Sequence, residues 1–329
     1  MDIKKYLLLP LAVIALCCVS CKKDDEVSYD YLTGEPSFSL PLYGIAGDSF
    51  SFTAKGVTAD DGTKVGYYWY ASPISTTRDT SDTYTLTLPD TLCTVTVTCT
   101  AFADGYYTSS TSNKITILKT GRDGGSISGL DFVKDKDFFF KDPRDGHEYL
   151  CTTIGSNDWF RENLAYKGSG TPLENCDGAS DVFGRFYTWS EASSACPDGW
   201  RVSTLDDWAD AAAVVLDSRP DLHDRYYSVA GAFMGDLRLN GDKMWEYWPQ
   251  VKITDKLGLS MIPLGYASKM AGKTEFKSMY DYAAFWTADE KDADQAYYRY
   301  FFDESPDLFI SSTSKTSFAA NVRCVRDHE

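Results

Sequence analysis

The sequence predicts an all-β sandwich of short antiparallel strands followed by an α+β domain. Between residues 31 and 120 apolar residues alternate with polar ones at a period of two, which is typical of strands with one buried face. Residues 121–129 contain four glycines and no apolar period, which predicts a linker. Helical spacing of apolar residues first occurs beyond this linker. At 329 residues the chain is long enough for two cores.

The first twenty residues have the composition of a secretory signal peptide. Lys4 and Lys5 precede an apolar run from Tyr6 to Cys18, which ends before a small residue. The run is shorter than the ~20 residues that span a bilayer. We therefore expect residues 1–20 to be removed on export.

The stretch Cys18-Val19-Ser20-Cys21 resembles a bacterial lipobox. The resemblance implies that Cys21 is acylated and that residues 21–30 form an acylated tether. The segment Lys22–Glu26 is similar to the signals that send lipoproteins of the Bacteroides group to the outer face of the outer membrane. We expect a lipid-anchored outer-membrane protein facing the cell exterior, since each buried methylene of the lipid contributes ~0.8 kcal/mol.

The net charge of −16 argues against nucleic acid as a partner. Nucleic-acid binding depends on lysine and arginine side chains that neutralise phosphates. An acidic surface is more typical of solubility than of a binding site. The partner that the sequence predicts is the outer membrane, contacted through the lipid anchor.

Residues 31–120 read as about seven short strands, and Trp69 lies in an aromatic run suited to packing between two sheets. This part resembles an immunoglobulin-type or polycystic-kidney-disease-repeat-type module. Cys93 and Cys99 fall on the same face of one predicted strand. Six residues of strand span ~20 Å, whereas the Cα atoms of a disulfide lie within ~7 Å. We expect both to be unpaired thiols packed as small apolar residues.

Two helices are expected in residues 130–329. Tyr187 to Ala195 is a short candidate. The second begins after Ser203 or Thr204, where Thr204 and Asp207 make an acidic variant of a capping box, and Pro220 ends it.

The same region resembles the Fibrobacter succinogenes major paralogous domain, which is assigned to the C-type-lectin-like and formylglycine-generating-enzyme-like superfamily. The resemblance implies an α+β C-type-lectin-like domain over residues 130–329. Phe160 and Arg161 depart from the family's usual residues. The matching blocks are 145–149, 159–164, 183–189, 195–201, 259–266, 285–287, 296–299 and 321–327.

In this family alignment Cys196 is expected to pair with Cys324. Closing so long a loop would stabilise the domain by at most roughly 5 kcal/mol on the chain-entropy model. A second pair between Cys151 and Cys176 is left open.

Little in the sequence indicates catalysis, a cofactor or a metal. His147, His223 and His328 lack the spacing of zinc ligands. Formylglycine-generating enzymes act through reactive cysteines, but the motif-matching cysteines here are those expected in the bridge, so we do not expect an enzyme. Residues 130–329 also lack the tripeptides that hold calcium in C-type lectins. The acidic run 289–294 lacks the spacing of a calcium loop, so a solvated loop is favoured over a calcium site.

The aromatic stretch 244–249 supplies the candidate ligand-binding residues. Trp245 matches a family position and is expected in the core. Tyr247 and Trp248, with the acceptors Glu246 and Gln250, could stack on a sugar or grip a peptide. The alternative is that both rings pack inside the domain.

We therefore expect an outer-membrane surface lipoprotein that is a non-catalytic binding module for glycan or peptide, accessory to a nutrient-uptake transporter. The alternative is a structural or adhesive surface protein that contacts host or neighbouring proteins.

Overall fold

Strands dominate both halves of the chain in the computed structural model, which describes residues 28–75, 78–245 and 251–328. The chain is mostly β and forms several sheets. None of the described residues belongs to a helix long and apolar enough to cross a membrane.

The N-terminal half is built from two groups of strands. A four-stranded sheet has the order β2-β8-β6-β4, and β3 pairs with β5 in a separate antiparallel pair. In the larger sheet β2 runs parallel to β8, while the other pairs are antiparallel. The strands are β1 (Asp30–Tyr31), β2 (Tyr43–Ile45), β3 (Ser49–Thr53), β4 (Gly66–Ser72), β5 (Thr83–Thr87), β6 (Thr94–Phe102), β7 (Tyr106–Tyr107) and β8 (Ser109–Leu118).

Trp69 lies at the centre of this half, as the sequence predicts. Its ring is fully buried and stacks on Tyr84 at 5.7 Å between centroids, and its Nε1 donates a hydrogen bond to the Ser81 carbonyl. Cys93 and Cys99 are both free thiols, so the expectation that they do not pair is confirmed. Cys99 is fully buried, and burial raises its thiol pKa to about 11.

The C-terminal half alternates short strands with short helices. Turns of 3-10 helix occupy Leu173–Asn175 and Asp177–Ala179. The helices are α1 (Ser180–Phe183), α2 (Trp189–Ala192), α3 (Leu205–Ala213) and α4 (Ala230–Phe233). The strands are β9 (Ile127–Ser128), β10 (Asp137–Lys141), β11 (Glu148–Ile154), β12 (Asn157–Phe160), β13 (Thr171–Pro172), β14 (Arg185–Thr188), β15 (Arg201–Val202), β16 (Arg238–Leu239), β17 (Asp242–Lys243), β18 (Tyr266–Met270), β19 (Lys273–Lys277), β20 (Tyr282–Glu290), β21 (Gln295–Phe302), β22 (Phe309–Ser314), β23 (Phe318–Ala320) and β24 (Cys324–Asp327).

Four sheets organise these strands. Two have five strands, in the orders β10-β11-β12-β24-β15 and β13-β14-β23-β18-β19, and two have three, in the orders β20-β21-β22 and β17-β16-β9. The terminal strand β24 lies inside its sheet between β12 and β15. The C-terminal half is therefore closed by its own last strand.

Both predicted helices are present but shorter than the sequence suggests. Tyr187 belongs to β14, and α2 starts only after Thr188, which caps it by accepting from the Glu191 backbone N–H. In α3 the capping box of Thr204 and Asp207 is confirmed. The helix ends at Ala213 instead of near Pro220. A turn follows it, in which Val215 and Leu216 still pack against the core.

The glycine-rich linker is ordered against the C-terminal half. Its β9 pairs with β16, and Ser126 is buried. Across the junction the Tyr43 ring lies 5.7 Å from Phe183, and Asn240 donates a side-chain hydrogen bond to the Ile117 carbonyl. The two halves thus share a core at the junction.

Candidate functional site

The predicted ligand-binding residues Glu246, Tyr247, Trp248 and Gln250 lie outside the described residues, and so does the predicted lipidation site Cys21. Their neighbour Trp245 is buried, as the sequence predicts. Its Nε1 donates to the Met261 carbonyl at 2.8 Å.

The structure contains the Cys196–Cys324 disulfide that the family resemblance implies. The two Cα atoms are 5.9 Å apart, within the range of ordinary disulfides. Cys324 is fully buried at the start of β24. The Cys196 carbonyl accepts a hydrogen bond from Arg144. The bridge therefore ties the terminal strand to the segment that leads into β15.

The second pair left open by the sequence, Cys151 with Cys176, does not form. Both are free cysteines. Cys151 is fully buried on β11 and belongs to the same apolar cluster as Tyr149 and Phe160. Cys176 lies between the two 3-10 turns and packs against a different cluster. Burial raises the pKa of both thiols, so each is suited to packing rather than to nucleophilic chemistry.

Three of the four carboxylates of the acidic run 289–294 have structural partners within the protein. Asp289 accepts from the backbone N–H of Leu205 at the start of α3, and Glu290 accepts from Lys315 at 2.6 Å. Asp292 accepts from two backbone N–H groups of its own turn. Within the part of the chain that the structure describes, no group of three or more metal-binding side chains comes together.

The three histidines lie in separate places. His147 is 3.6 Å from Asp181, and His328 is 2.8 Å from Asp158. The His223 ring contacts Tyr297. Each therefore has a local partner of its own.

A continuous band of seven partly exposed aromatic rings runs across one face of the C-terminal half. Neighbouring centroids are 5.1–5.8 Å apart, and four of the contacts are stacked. We call these residues the aromatic band: Tyr266, Tyr282, Tyr298, Tyr300, Phe302, Phe309 and Phe318.

Strand register places the rings of the aromatic band side by side. On β21 the side chains alternate, so Tyr300 points to the band while its neighbours Arg299 and Phe301 are fully buried on the opposite face. The register then sets Phe309 of β22 opposite Tyr300, and Tyr282 of β20 opposite Phe302. Cross-strand pairing of this kind holds each ring within contact of the next.

Buried groups on both faces of the sheet hold the aromatic band in place. The Trp286 ring is fully buried, meets Phe318 edge-on at 5.4 Å, and donates from Nε1 to the Tyr187 carbonyl. On the other face of β21, Arg299 donates to the carbonyls of Asp224 and Leu222. Burial lowers the pKa of Arg299 to about 10. The platform is therefore held by hydrogen bonds on both sides of the sheet.

The aromatic band has polar groups at its hydroxyls and at one end. Burial raises the pKa of Tyr282, so its hydroxyl stays neutral and can donate or accept. At the β22 end the guanidinium of Arg225 lies 5.3 Å from the Phe309 ring centroid and 4.5 Å from that of Tyr227. Such a surface can stack on flat apolar faces while its hydroxyls bond to neighbouring polar groups.

The sequence contains a local signal for part of the aromatic band. The run 297–302 is almost wholly aromatic, and alternation sends Tyr298, Tyr300 and Phe302 to one face. The partners Tyr266 and Phe318 come from a different sheet, which no local pattern reveals.

A family model described as the Fibrobacter succinogenes major domain (Fib_succ_major) matches residues 152–326. The matched range contains both bridged cysteines and every ring of the aromatic band. No curated protein matches the chain.

A solved structure described as a nucleoside hydrolase-related hypothetical protein from Saccharophagus degradans, associated with carbohydrate metabolism, resembles a small part of the chain. It is 16% identical with a TM-score of 0.22, over 28% of this chain and 26% of that one. The chain thus spans about a quarter of that protein's length. A likeness this slight carries no argument about fold or function.

Proposed function

The chain belongs to the Fibrobacter succinogenes major domain family, and from this premise we propose that it is a non-catalytic binding module for a glycan, presented on the outside of the cell. The aromatic band binds the sugar rings. The observation that carries the proposal is the row of seven stacked and tilted rings, none of them fully buried, contributed by two neighbouring sheets.

Stacking on aromatic rings suits a sugar better than a peptide at this surface. The C–H face of a pyranose is flat and apolar, and it matches an aromatic ring in size, while its hydroxyls can bond to Tyr282 and Tyr300. Peptides are more often bound along an unpaired strand edge, where main-chain groups are available. Tyr300 lies on β21, the central strand of its sheet, so its ring stands on the face of the sheet and not at an unpaired strand edge.

A C-type-lectin-like fold for the domain that carries the band is part of the proposal. The disulfide that closes the last strand onto the domain supports it. An immunoglobulin-type identity for the N-terminal module is supported by its two groups of mostly antiparallel strands around Trp69. This module would act as the spacer between the band and the membrane.

The location on the cell surface is proposed from the sequence. Acylation of Cys21 would anchor the chain in the outer membrane, facing outward, beside a nutrient-uptake transporter that it serves. Labelling of intact cells with a membrane-impermeant reagent, together with mass measurement of the N-terminal peptide, tests the anchor separately from the ligand.

Glycan binding is tested with a soluble form of residues 22–329, titrated against neutral oligosaccharides and oligopeptides. Tyr300→Ala should weaken glycan binding about tenfold, which corresponds to ~1.4 kcal/mol. Tyr300→Phe keeps the ring and should stay within a few-fold of the wild type. Tyr70→Ala removes a partly exposed tyrosine from the N-terminal half and should leave binding unchanged.

Other outcomes would contradict the proposal. Glycan binding that is lost in Trp248→Ala but kept in Tyr300→Ala would place the site in the loop first predicted from sequence. Saturable peptide binding without glycan binding would show that the ligand is a peptide and not a glycan. Binding to a membrane protein alone would favour the structural or adhesive alternative.

A further inference from the structure

A cavity of about 910 Å³ lies where the linker meets the C-terminal half. Residues 119–123 and 127–132 of the linker region form one side of it, and the residues that follow β12, together with α1, form the other. We call it the junction cavity. Its volume falls in the range of pockets that hold small molecules, ~300–1,000 Å³. It is distinct from the aromatic band, none of whose residues lines it.

Arg323, which lines the junction cavity, is a buried cation without a carboxylate beside it. Its side chain is 1% exposed and donates to Asn163 Oδ1 and to the carbonyls of Phe160 and Leu259. Among residues 28–75, 78–245 and 251–328 no carboxylate lies within ion-pair distance of it. Burial lowers its pKa to about 9, and the more distant carboxylates of Glu162 and Asp255 offset only part of this effect. A buried charge is costly unless an opposite charge compensates it.

Arg161 lines the same cavity and has an unused donor. It is 4% exposed and pairs with Asp137 through Nη1 at 2.5 Å. Its Nη2 donates to Ser260 Oγ and lies 3.8 Å from Asp255 Oδ2. Its Nε–H is buried and has no acceptor among the described residues. Leaving a buried donor unpaired costs roughly 1–3 kcal/mol. Arg161 and Arg323 donate to the adjacent residues Ser260 and Leu259, so the two side chains lie close to each other.

We propose that the junction cavity binds a small monocarboxylate, whose oxygens accept a hydrogen bond from Arg161 Nε and compensate the charge of Arg323. Charge-assisted bonds between guanidinium and carboxylate are about twice as strong as neutral ones. The ligand thus supplies both an acceptor for the unused donor and a counter-ion for the buried cation.

The outer lining of the junction cavity selects against more highly charged ligands. Carboxylates that line it would repel a phosphate dianion more strongly than a monoanion. They belong to Asp123, Asp131, Glu148, Glu162 and Asp181.

Arg122 holds the linker across one side of the junction cavity. Its Nη2 donates to Glu162 Oε2 and to the Glu148 carbonyl, both at 2.8 Å. About a third of each side chain is exposed, so the pair contributes ~0–1 kcal/mol and can open to admit a ligand.

The test is calorimetry and thermal unfolding of residues 22–329 with acetate, lactate and glucuronate, using glucose and glucose 6-phosphate for comparison. At least one carboxylate should bind tenfold or more tightly than both comparison compounds. Arg161→Lys keeps the charge but removes the Nε donor and should weaken that binding about tenfold. Ser128→Trp fills the cavity from an exposed linker position and should have the same effect. Arg219→Lys is a matched surface control and should have none.

The inference is overturned if none of the three carboxylates binds at millimolar concentration, if the phosphate binds best, or if neither Arg161→Lys nor Ser128→Trp weakens binding in a protein with an unchanged melting temperature. Tyr300→Ala should leave carboxylate binding intact. Failure at this cavity is therefore distinguishable from failure of glycan binding at the aromatic band.

Discussion

At the scale of single residues, the Cys196–Cys324 bridge constrains the C-terminal half most. It joins positions 128 apart in the sequence and holds β24 between its neighbours. Crosslinking so long a loop reduces the entropy of the unfolded chain, and loss of a native disulfide typically costs 2–5 kcal/mol.

The double substitution Cys196→Ser/Cys324→Ser should therefore lower the free energy of unfolding by about 2–5 kcal/mol. Urea unfolding of the oxidised protein measures this loss. Cys93→Ser changes a half-buried thiol that is free, and it should have a much smaller effect. An unchanged urea midpoint in the double variant would show that the bridge does not stabilise the domain.

The sequence predicted the burial and pairing of residues whose environment depends on the pattern of their close neighbours in the chain. Trp69 and Trp245 are buried as predicted, and Cys93 and Cys99 remain unpaired for the geometric reason expected of one strand. The open pair of Cys151 and Cys176 shows the limit of this reasoning. Nothing local to either cysteine indicates that the two pack into different cores.

At the scale of elements, α3 begins where its capping residues require. Thr204 Oγ1 accepts from the Asp207 backbone N–H, and Asp207 in turn accepts from the Thr204 N–H at 2.7 Å. Asp207 is buried and also accepts from Asn157 and Arg201. The start of this helix is therefore tied to β12 and β15.

Thr204→Ala should lower the free energy of unfolding by about 1 kcal/mol, the usual cost of losing a cap. Asp207→Ala should cost more, because it also leaves the Asn157 donor unpaired and removes the partner of Arg201. Asp206→Ala, an exposed change in the same turn, is the control and should cost less than either. Equal effects of all three in urea unfolding would contradict this account of the helix start.

The ends of the helices were less predictable than their starts. The apolar spacing continues past Ala213 to Leu216, yet those last residues contact the core from a turn. Apolar spacing records which side chains are buried, and a turn can bury them as well as a helix can.

At the scale of the whole molecule, the two halves are joined by shared packing. Tyr43 and Leu118 of the N-terminal half belong to the same apolar cluster as Phe183, Leu237 and Leu239 of the C-terminal half. The linker adds a strand, β9, to a sheet of the C-terminal half. The N-terminal half therefore packs directly on the C-terminal half and is not a loosely attached spacer.

A fragment of residues 130–329 should be less stable than residues 28–329. It lacks β9 and exposes the apolar cluster that Tyr43 and Leu118 cover. Burial of each such side chain contributes ~1.5–3 kcal/mol, so its melting temperature should fall by about 10 °C. Tyr43→Ala in the longer chain should show part of this loss. If the fragment melts at the same temperature as residues 28–329, the two halves are independent.

The sequence by itself determined where strands alternate, where α3 begins, which tryptophans are buried and, through a family resemblance, which cysteines are bridged. Only the tertiary structure decided which rings form the aromatic band and which arginines line the junction cavity. The physical reason is the distance along the chain between the residues that interact. Alternation and capping depend on residues a few positions apart. The band and the cavity depend on the register and packing of strands that lie far apart along the chain.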